Sequence, residues 1–426
     1  MTVDAQGLAG GLADELDALL AGADAALARD YPGERAGRQP VHTVYVPADR
    51  HDASLVPRWG AAALDALDAN GGDAALARAA GLADDLAEDV CARVRAKLAS
   101  EPVEDLRVDL EDGYGTRPDA EEDQHVDAAA AALLEAQAAG TRAPFCGIRF
   151  KSFEAPTRAR GLRTLTRFVA AVACDGTLPA GLVVTLPKVT SPAQVVAMVL
   201  ACERLEQALG LAERSLAFEL QVETPQAVCG TDGTALVAPM VHAARGRCRG
   251  LHYGTYDYSA SLGIAAAQQS MDHPAADHAK AVMQVAAAGT GVRLSDGSTN
   301  RLPVGSSAQV REAWAVHARL VRRSLGRGFY QGWDLHPAQL PTRYAATLAF
   351  FREGLPEAGR RLANYGAHAD SGVLDEPATA RALAGYVARA LDCGATDPAE
   401  VERLCGLDRA ALDRLAGRAP AGGGAR

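Results

Sequence analysis

The sequence predicts an α/β chain, a (β/α)8 TIM barrel with extra N-terminal and C-terminal helices. Three observations predict it. Eight short β-branched or apolar runs alternate with Ala- and Leu-rich stretches of helical period. Nearly every run leads into a charged or polar cluster, and the strand ends of a parallel barrel are where ligand-binding side chains collect. At 426 residues the chain is long enough for one large barrel with additions. A doubly wound open sheet is the alternative, but no GxGxxG follows the first strand, so a dinucleotide fold has little support.

Residues 1–40 read as an N-terminal helical extension, with helical period over 8–30 and a Pro/Gly break at YPGERAGRQP. The barrel, 41–355, opens with the strand VHTVYV (41–46). Residues 73–99 read as one or two additional helices on the outside. Strand two is DLRVDL (105–110), running into the acid- and glycine-rich EDGYGTRPD. Strand three is FCGIRF (145–150), strand four GLVVTL (181–186), strand five 216–222 and strand six 250–254. The helix after strand four starts at Ser191-Pro192, an N-cap followed by proline at the first helical position. Strands seven (TGVRL, 290–294) and eight (GFYQGWDL, 328–335) complete the set. A helix over 338–351 follows, then a C-terminal helical extension (356–418), whose two final helices, about 377–391 and 398–416, come after a Gly/Asp linker, and a tail (419–426) whose composition predicts disorder.

Net charge is −10 with no long basic run, which argues against nucleic acid as a partner. No run of eighteen apolar residues occurs, and the N-terminus lacks a basic n-region, so a cytoplasmic location away from membranes is expected. The eight cysteines form no CxxC pair and read as reduced, mostly buried thiols; zinc-ligand spacings are missing.

The candidate chemistry stands at the strand ends. Asp109, Glu111 and Asp112 end strand two, Arg149 ends strand three, and Lys188 follows strand four. Glu223 ends strand five, Asp257 follows strand six, and Asp334 with His336 closes strand eight. So many acids in one pocket repel each other unless a cation intervenes. Oxygen-only ligands in small number point to Mg²⁺, with Mn²⁺ as the alternative, held by Glu223 and Asp257. Such a metal can chelate a 2-keto acid and stabilise the enolate formed as a C–C bond breaks or forms. Arg149 is expected to oppose the oxyanion or clamp a carboxylate, since a buried arginine needs a partner. Asp109 and Asp112 are the further catalytic candidates; Arg50 and Lys188 are the further substrate-binding ones. Plainer readings stand beside these. Glu223 reads equally as a helix N-terminal carboxylate, Asp257 as a turn cap, Lys188 as a solvated lysine, and the DLED run as a solvated loop. His336 reads as a cap and His252 as a satisfied core histidine. The general base is open among His42, Asp112, His252 and a metal-bound water, although His42 begins its strand and so faces the wrong end. The run SDGST (295–299) lacks a G-x-S-x-G elbow and makes a poor serine nucleophile.

Seven motifs, in order over about residues 40–345, resemble the HpcH/HpaI aldolase and citrate lyase β-subunit family, which includes malyl-CoA lyases. VYVPADR (44–50) is similar to FVPGDR, VDLEDGYGTR (108–117) to DLEDAV, and IRF (148–150) to the segment carrying the family's arginine. LPKVTSP (186–192) is similar to LPKVES, VETPQAV (222–228) to IETPRG, YGTYDYSASLG (253–263) to FGxxDLxxDLG, and GFYQGWDLHPAQL (328–340) to GxxGKWAIHPSQI. The resemblance implies a metal-dependent carbon–carbon lyase or aldolase acting through a pyruvate- or acetyl-CoA-type enolate, assembled as a homo-oligomer, a trimer or hexamer. It places Glu223 and Asp257 on the family's metal ligands and Arg149 on its substrate arginine. The chain departs at Gly332, Thr190, Ser261 and Ala48, and carries extra segments near 71–100 and 265–305. A free 2-keto acid and an acyl-CoA therefore both remain open as substrates. An acyl-CoA thioesterase on the same site and a catalytically silent barrel subunit are the competing readings.

Overall fold

The computed structural model describes residues 5–367 and 376–419. Eight parallel strands form one sheet: β1 (His42–Pro47), β2 (Asp105–Asp109), β3 (Phe145–Arg149), β4 (Val183–Leu186), β5 (Ala217–Val222), β6 (Cys248–Tyr253), β7 (Arg293–Ser295) and β8 (Gly332–Asp334). They pair in sequence order from β1 to β7, with β8 beside β1. Helices follow the strands on the outside, so the architecture is the expected (β/α)8 barrel with added helices.

The circle closes between β7 and β8 without a regular ladder. A single bridge joins Ser295 to Gln331, flanked by Asp296 N–H to Gln331 O at 2.8 Å and Trp333 N–H to Gly297 O at 3.1 Å. Side chains reinforce this seam. Gln39 Nε2 spans it, donating to Leu294 O at 3.1 Å and Gln331 Oε1 at 3.2 Å, while Asp296 is anchored by Lys280 Nζ at 2.9 and 3.2 Å and by Ser324 Oγ at 2.6 Å. The expected strand at 290–294 starts only at Arg293, because Gly289 and Gly291 both take positive φ and turn the chain first.

Outward-facing strand residues bury against two apolar shells. Val108, Ile148, Val184, Phe218 and Leu251 lie under the helices Asp119–Ala138, Arg158–Val172 and Pro192–Leu209. The second shell gathers Val44 of β1 with Leu55–Ala69, Asp84–Ser100, Ser307–Gly326 and Leu340–Ala367. The extra segment near 71–100 forms two helices, Gly72–Ala80 and Asp84–Ser100, whose buried Leu76, Val90, Val94 and Leu98 join this shell. The C-terminal helices Pro377–Asp392 and Pro398–Cys405 complete it. The helix expected to end at 351 continues through Pro356 to Ala367.

Beneath the barrel, Glu34–Arg35 pairs in parallel with Arg418–Ala419, so the stretch before β1 meets the last described residues. Residues 420–426 of the expected tail and the linker at 368–375 lie outside the described residues. All eight cysteines are free and six are buried, as the composition implied. Among the described residues no helix is long and apolar enough to cross a membrane.

Candidate active site at the barrel mouth

Strands turn alternate side chains inward, so every second residue builds the lumen. In β2, Leu106 and Val108 enter the apolar shells while Asp105, Arg107 and Asp109 meet partners inside. In β5, Phe218, Leu220 and Val222 pack outward while Glu219, Gln221 and Glu223 point in. The lumen is thus built from charged and polar groups that must satisfy one another.

The lower layer does so around Arg107. Its guanidinium donates to Asp105 Oδ2 and Glu219 Oε2, both at 2.8 Å, and to Val183 O at 2.6 Å. Trp333 Nε1 donates to His252 Nδ1 at 3.1 Å, which leaves the His252 proton on Nε2, 3.2 Å from Glu219 Oε2. Burial alone would raise the Glu219 carboxyl; Arg107 and His252 outweigh it and hold it below the usual range. His252 is the satisfied core histidine that its place in a strand suggested.

Above this layer Asp109 grips Arg149 in a two-pronged pair, Nε to Oδ1 and Nη2 to Oδ2, each at 2.7 Å. The same carboxylate accepts the backbone N–H groups of Glu111 at 3.1 Å and Gly113 at 2.9 Å. Asp109 therefore folds its own loop and fixes Arg149, and both of its oxygens are committed. The guanidinium sits over Tyr45, 4.9 Å from the ring centre, and 6.0 Å from Trp333. Its Nη1 end reaches Gln221 Oε1 at 3.4 Å and Glu111 Oε2 at 3.5 Å. Burial opposes the charge on Arg149, but Asp109 outweighs burial and keeps the guanidinium ionised.

At the mouth, Lys188 gathers the remaining acids. Its ammonium lies 2.7 Å from Glu111 Oε1, 2.6 Å from Asp112 Oδ2 and 3.4 Å from Asp257 Oδ1. Its backbone N–H donates to Glu223 Oε1 at 2.8 Å. Lys188 holds a left-handed backbone, φ 51°, an unusual conformation for a residue with a side chain and one that clusters at functional sites. Burial would lower its pKa; Glu223 and Glu111 outweigh that and raise it. Glu223 is only 1% exposed. Burial pushes its carboxyl up to about 8, with Asp257 and Glu111 adding to the rise and Lys188 opposing it. Gly254 makes room for this carboxylate: a Cβ there would lie 2.4 Å from both Glu223 Cβ and Glu223 Oε2.

Asp109, Glu111, Asp112, Glu223 and Asp257 thus surround two cations, Arg149 and Lys188. Negative charge is in excess, and a divalent cation would relieve it. Among the described residues no three His, Cys, Asp or Glu side chains close into a metal cage. Glu223 and Asp257 could supply two ligands of an open site, with water and substrate oxygens making up the rest, the kind of site that Mg²⁺ or Mn²⁺ favour.

Each candidate residue has a definite place. Arg149, Asp109, Asp112, Lys188, Glu223 and Asp257 meet at one mouth; Asp257 does so from the first turn of the helix Thr255–Ser261 and is partly exposed. Arg50 ends the short turn Ala48–Arg50 after β1, exposed and without an ion pair among the described residues. Asp334 corrects the expectation that it serves the mouth. Trp333 takes the inward position beside it, so Asp334 faces the helical shell, held by Arg343 at 3.0 Å, His42 Nδ1 at 2.8 Å and His317 Nε2 at 3.1 Å. Glu104 N–H donates to His42 Nε2, so both nitrogens of His42 are used away from the site. His336 caps the turn Pro337–Gln339 through Nδ1. Gln221, which joins Arg149 to Glu223, was missed. Its signal is the alternation Glu219-x-Gln221-x-Glu223 in an otherwise apolar strand.

A family model described as a domain of unknown function (DUF6986) matches residues 20–419. No curated protein matches the chain. Among solved structures, a Haloferax volcanii malate synthase magnesium/glyoxylate complex is 16% identical, with a TM-score of 0.49 over 90% of this chain and 100% of that one. An HpcH/HpaI aldolase/citrate lyase family protein from Burkholderia cenocepacia J2315 is 16% identical, with a TM-score of 0.42 over 76% of this chain and 96% of that one. An HpcH/HpaI aldolase from Desulfitobacterium hafniense DCB-2 is 14% identical, with a TM-score of 0.38 over 74% and 93%.

Proposed function

The chain belongs to the DUF6986 family, whose description names no activity, and we propose that it is a Mg²⁺- or Mn²⁺-dependent carbon–carbon lyase or aldolase. Its substrate class is a small 2-keto acid or an acyl-CoA reacting through an enolate. The observation that carries this reading is the charge excess at the mouth, five carboxylates around Arg149 and Lys188, with space kept for Glu223 by Gly254. The seven motifs similar to the HpcH/HpaI aldolase and citrate lyase family support it.

Glu223 and Asp257 hold the cation, which when bound supplies Lewis-acid stabilisation of negative charge developing on a substrate carbonyl oxygen. Arg149, locked by Asp109, offers its Nη1 end to a substrate carboxylate or oxyanion. Lys188 holds Glu111 and Asp112 in place and keeps Asp112 ionised: burial would raise that carboxyl, and Lys188 outweighs burial. Asp112 and Asp257 are the two acids of the group open to solvent, and with Asp257 assigned to the cation, this reading gives proton exchange with substrate to Asp112. Arg50, without an ion pair among the described residues, meets the anionic end of a longer substrate.

Calorimetry tests the reading. Mg²⁺ should bind the wild-type chain, and pyruvate or oxalate should bind more tightly in its presence. Glu223→Gln and Asp257→Asn should each abolish that heat while circular dichroism stays unchanged. Full Mg²⁺ binding by both variants would refute the metal site. Release of free CoA from an acyl-CoA without a keto product would replace the lyase with a thioesterase.

A further inference from the structure

The opposite end of the barrel encloses a second feature. A cavity of about 380 Å³ lies where the chain enters β1, β7 and β8, bounded by the helix Pro377–Asp392 and by Arg418. Four arginines line it, Arg35, Arg293, Arg389 and Arg418, and the acid among the lining residues is Glu34. Glu34 is committed to Arg389, at 2.8 and 3.1 Å, and stands 3.8 Å from Arg418 Nε.

The remaining acids nearby are shared. Arg418 Nη1 reaches Asp392 and Asp413 at 3.3 Å each, but Arg409 holds both more closely, at 2.6 and 2.7 Å. Arg418 Nε is buried and donates no hydrogen bond among the described residues. The Arg418 side chain is only 4% exposed. Arg293 donates to the carbonyls of Arg38 at 2.5 Å and Gly37 at 2.9 Å, and Arg35 to that of Gly246 at 3.1 Å. Carbonyls satisfy N–H groups but bring no counter-charge. Burial lowers Arg293 to about 10, with Arg418, Arg35 and Arg389 adding to the fall and Asp392 opposing it. A concave space ringed by guanidinium groups with an unused buried donor is completed by an anion.

We propose that this cavity binds a small anion bearing phosphate or carboxylate groups, at the barrel floor and apart from the mouth. Guanidinium forks suit both chemistries equally, so the two are separated by experiment. A ligand here would join the segment before β1, the start of β7 and the C-terminal helices, and so stabilise the fold from below.

The test is calorimetry and thermal melting of the full metal-free chain with inorganic phosphate and, separately, citrate. Ionic strength is held constant, with chloride as the control. Saturable binding near one per chain and a raised melting temperature are expected, and the tighter of the two anions names the class. Arg293→Gln should weaken that binding at least tenfold. Glu34→Gln frees Arg389 at an exposed position and should tighten it severalfold, so it decides the matter even where an arginine variant does not fold. Neither change should alter Mg²⁺ binding at the mouth. No saturable binding of either anion would overturn the proposal. Binding that Arg293→Gln and Glu34→Gln both leave unchanged would do the same, because the anion would then sit elsewhere.

Discussion

Removing Asp109 should unsettle the molecule through Arg149 rather than through lost packing. In Asp109→Ala the guanidinium of Arg149 loses two hydrogen bonds of 2.7 Å while its 6% exposure keeps water away. Its remaining neighbours, Gln221 and Glu111, are at 3.4 and 3.5 Å. Breaking a buried pair by deleting one partner is worth roughly 3–5 kcal/mol. The entropy of unfolding scales as roughly 2.1 cal/mol/K per residue, so that loss corresponds to a fall of about 3–6 °C in melting temperature for a chain of this length. Differential scanning calorimetry reads it directly. The double variant Asp109→Ala/Arg149→Met removes the stranded charge and should recover most of the loss, while still failing to bind a keto acid. A single variant melting within about 1 °C of wild type would refute the reasoning, as would a double variant no more stable than the single.

Gly254→Ala places a methyl group against Glu223; overpacking of this kind is worth about 1–3 kcal/mol, and Mg²⁺ affinity measured by calorimetry should fall at least tenfold. Lys188→Met removes the cation that Glu111, Asp112 and Asp257 share, so Mg²⁺ should bind more tightly while the metal-free chain melts lower. Asp334 has a carboxyl held well below its ordinary value: burial opposes this, and Arg343 and His317 outweigh burial. A depressed carboxyl contributes stability above its unfolded value, near 3.9, and that stability is lost as pH falls through the lower folded value. Asp334→Asn should therefore melt lower than wild type at pH 7, and the gap should narrow as melting is followed below pH 4.

The architecture was legible because outward-facing strand positions are apolar and the helices between them are periodic. Phe218, Leu220 and Val222 mark β5 as plainly as any strand in the chain. The mouth was legible because acids and bases follow the strands directly, as Arg149 and Glu223 do. Direction was harder to read. Asp334 and Trp333 are neighbours, and one residue of register decides which enters the lumen. Strand length also escaped the pattern at β7 and β8, where glycine turns and long-range seam contacts set the ends. The pairing of Glu34–Arg35 with Arg418–Ala419 left no local signal, because its partners are joined only by the closed fold.

A closed barrel is protected from aggregation because it offers no free strand edge to another molecule. Here that protection depends on its thinnest joint. Between β7 and β8 the backbone contributes one bridge and two flanking bonds, Gln39 ties Leu294 to Gln331 across them, and Lys280 anchors Asp296, whose N–H makes one of those bonds. Weakening that joint would do more than lower stability. It would turn a ring into an open sheet with two exposed borders, so that the first harm done is clumping between chains rather than a slower reaction within one.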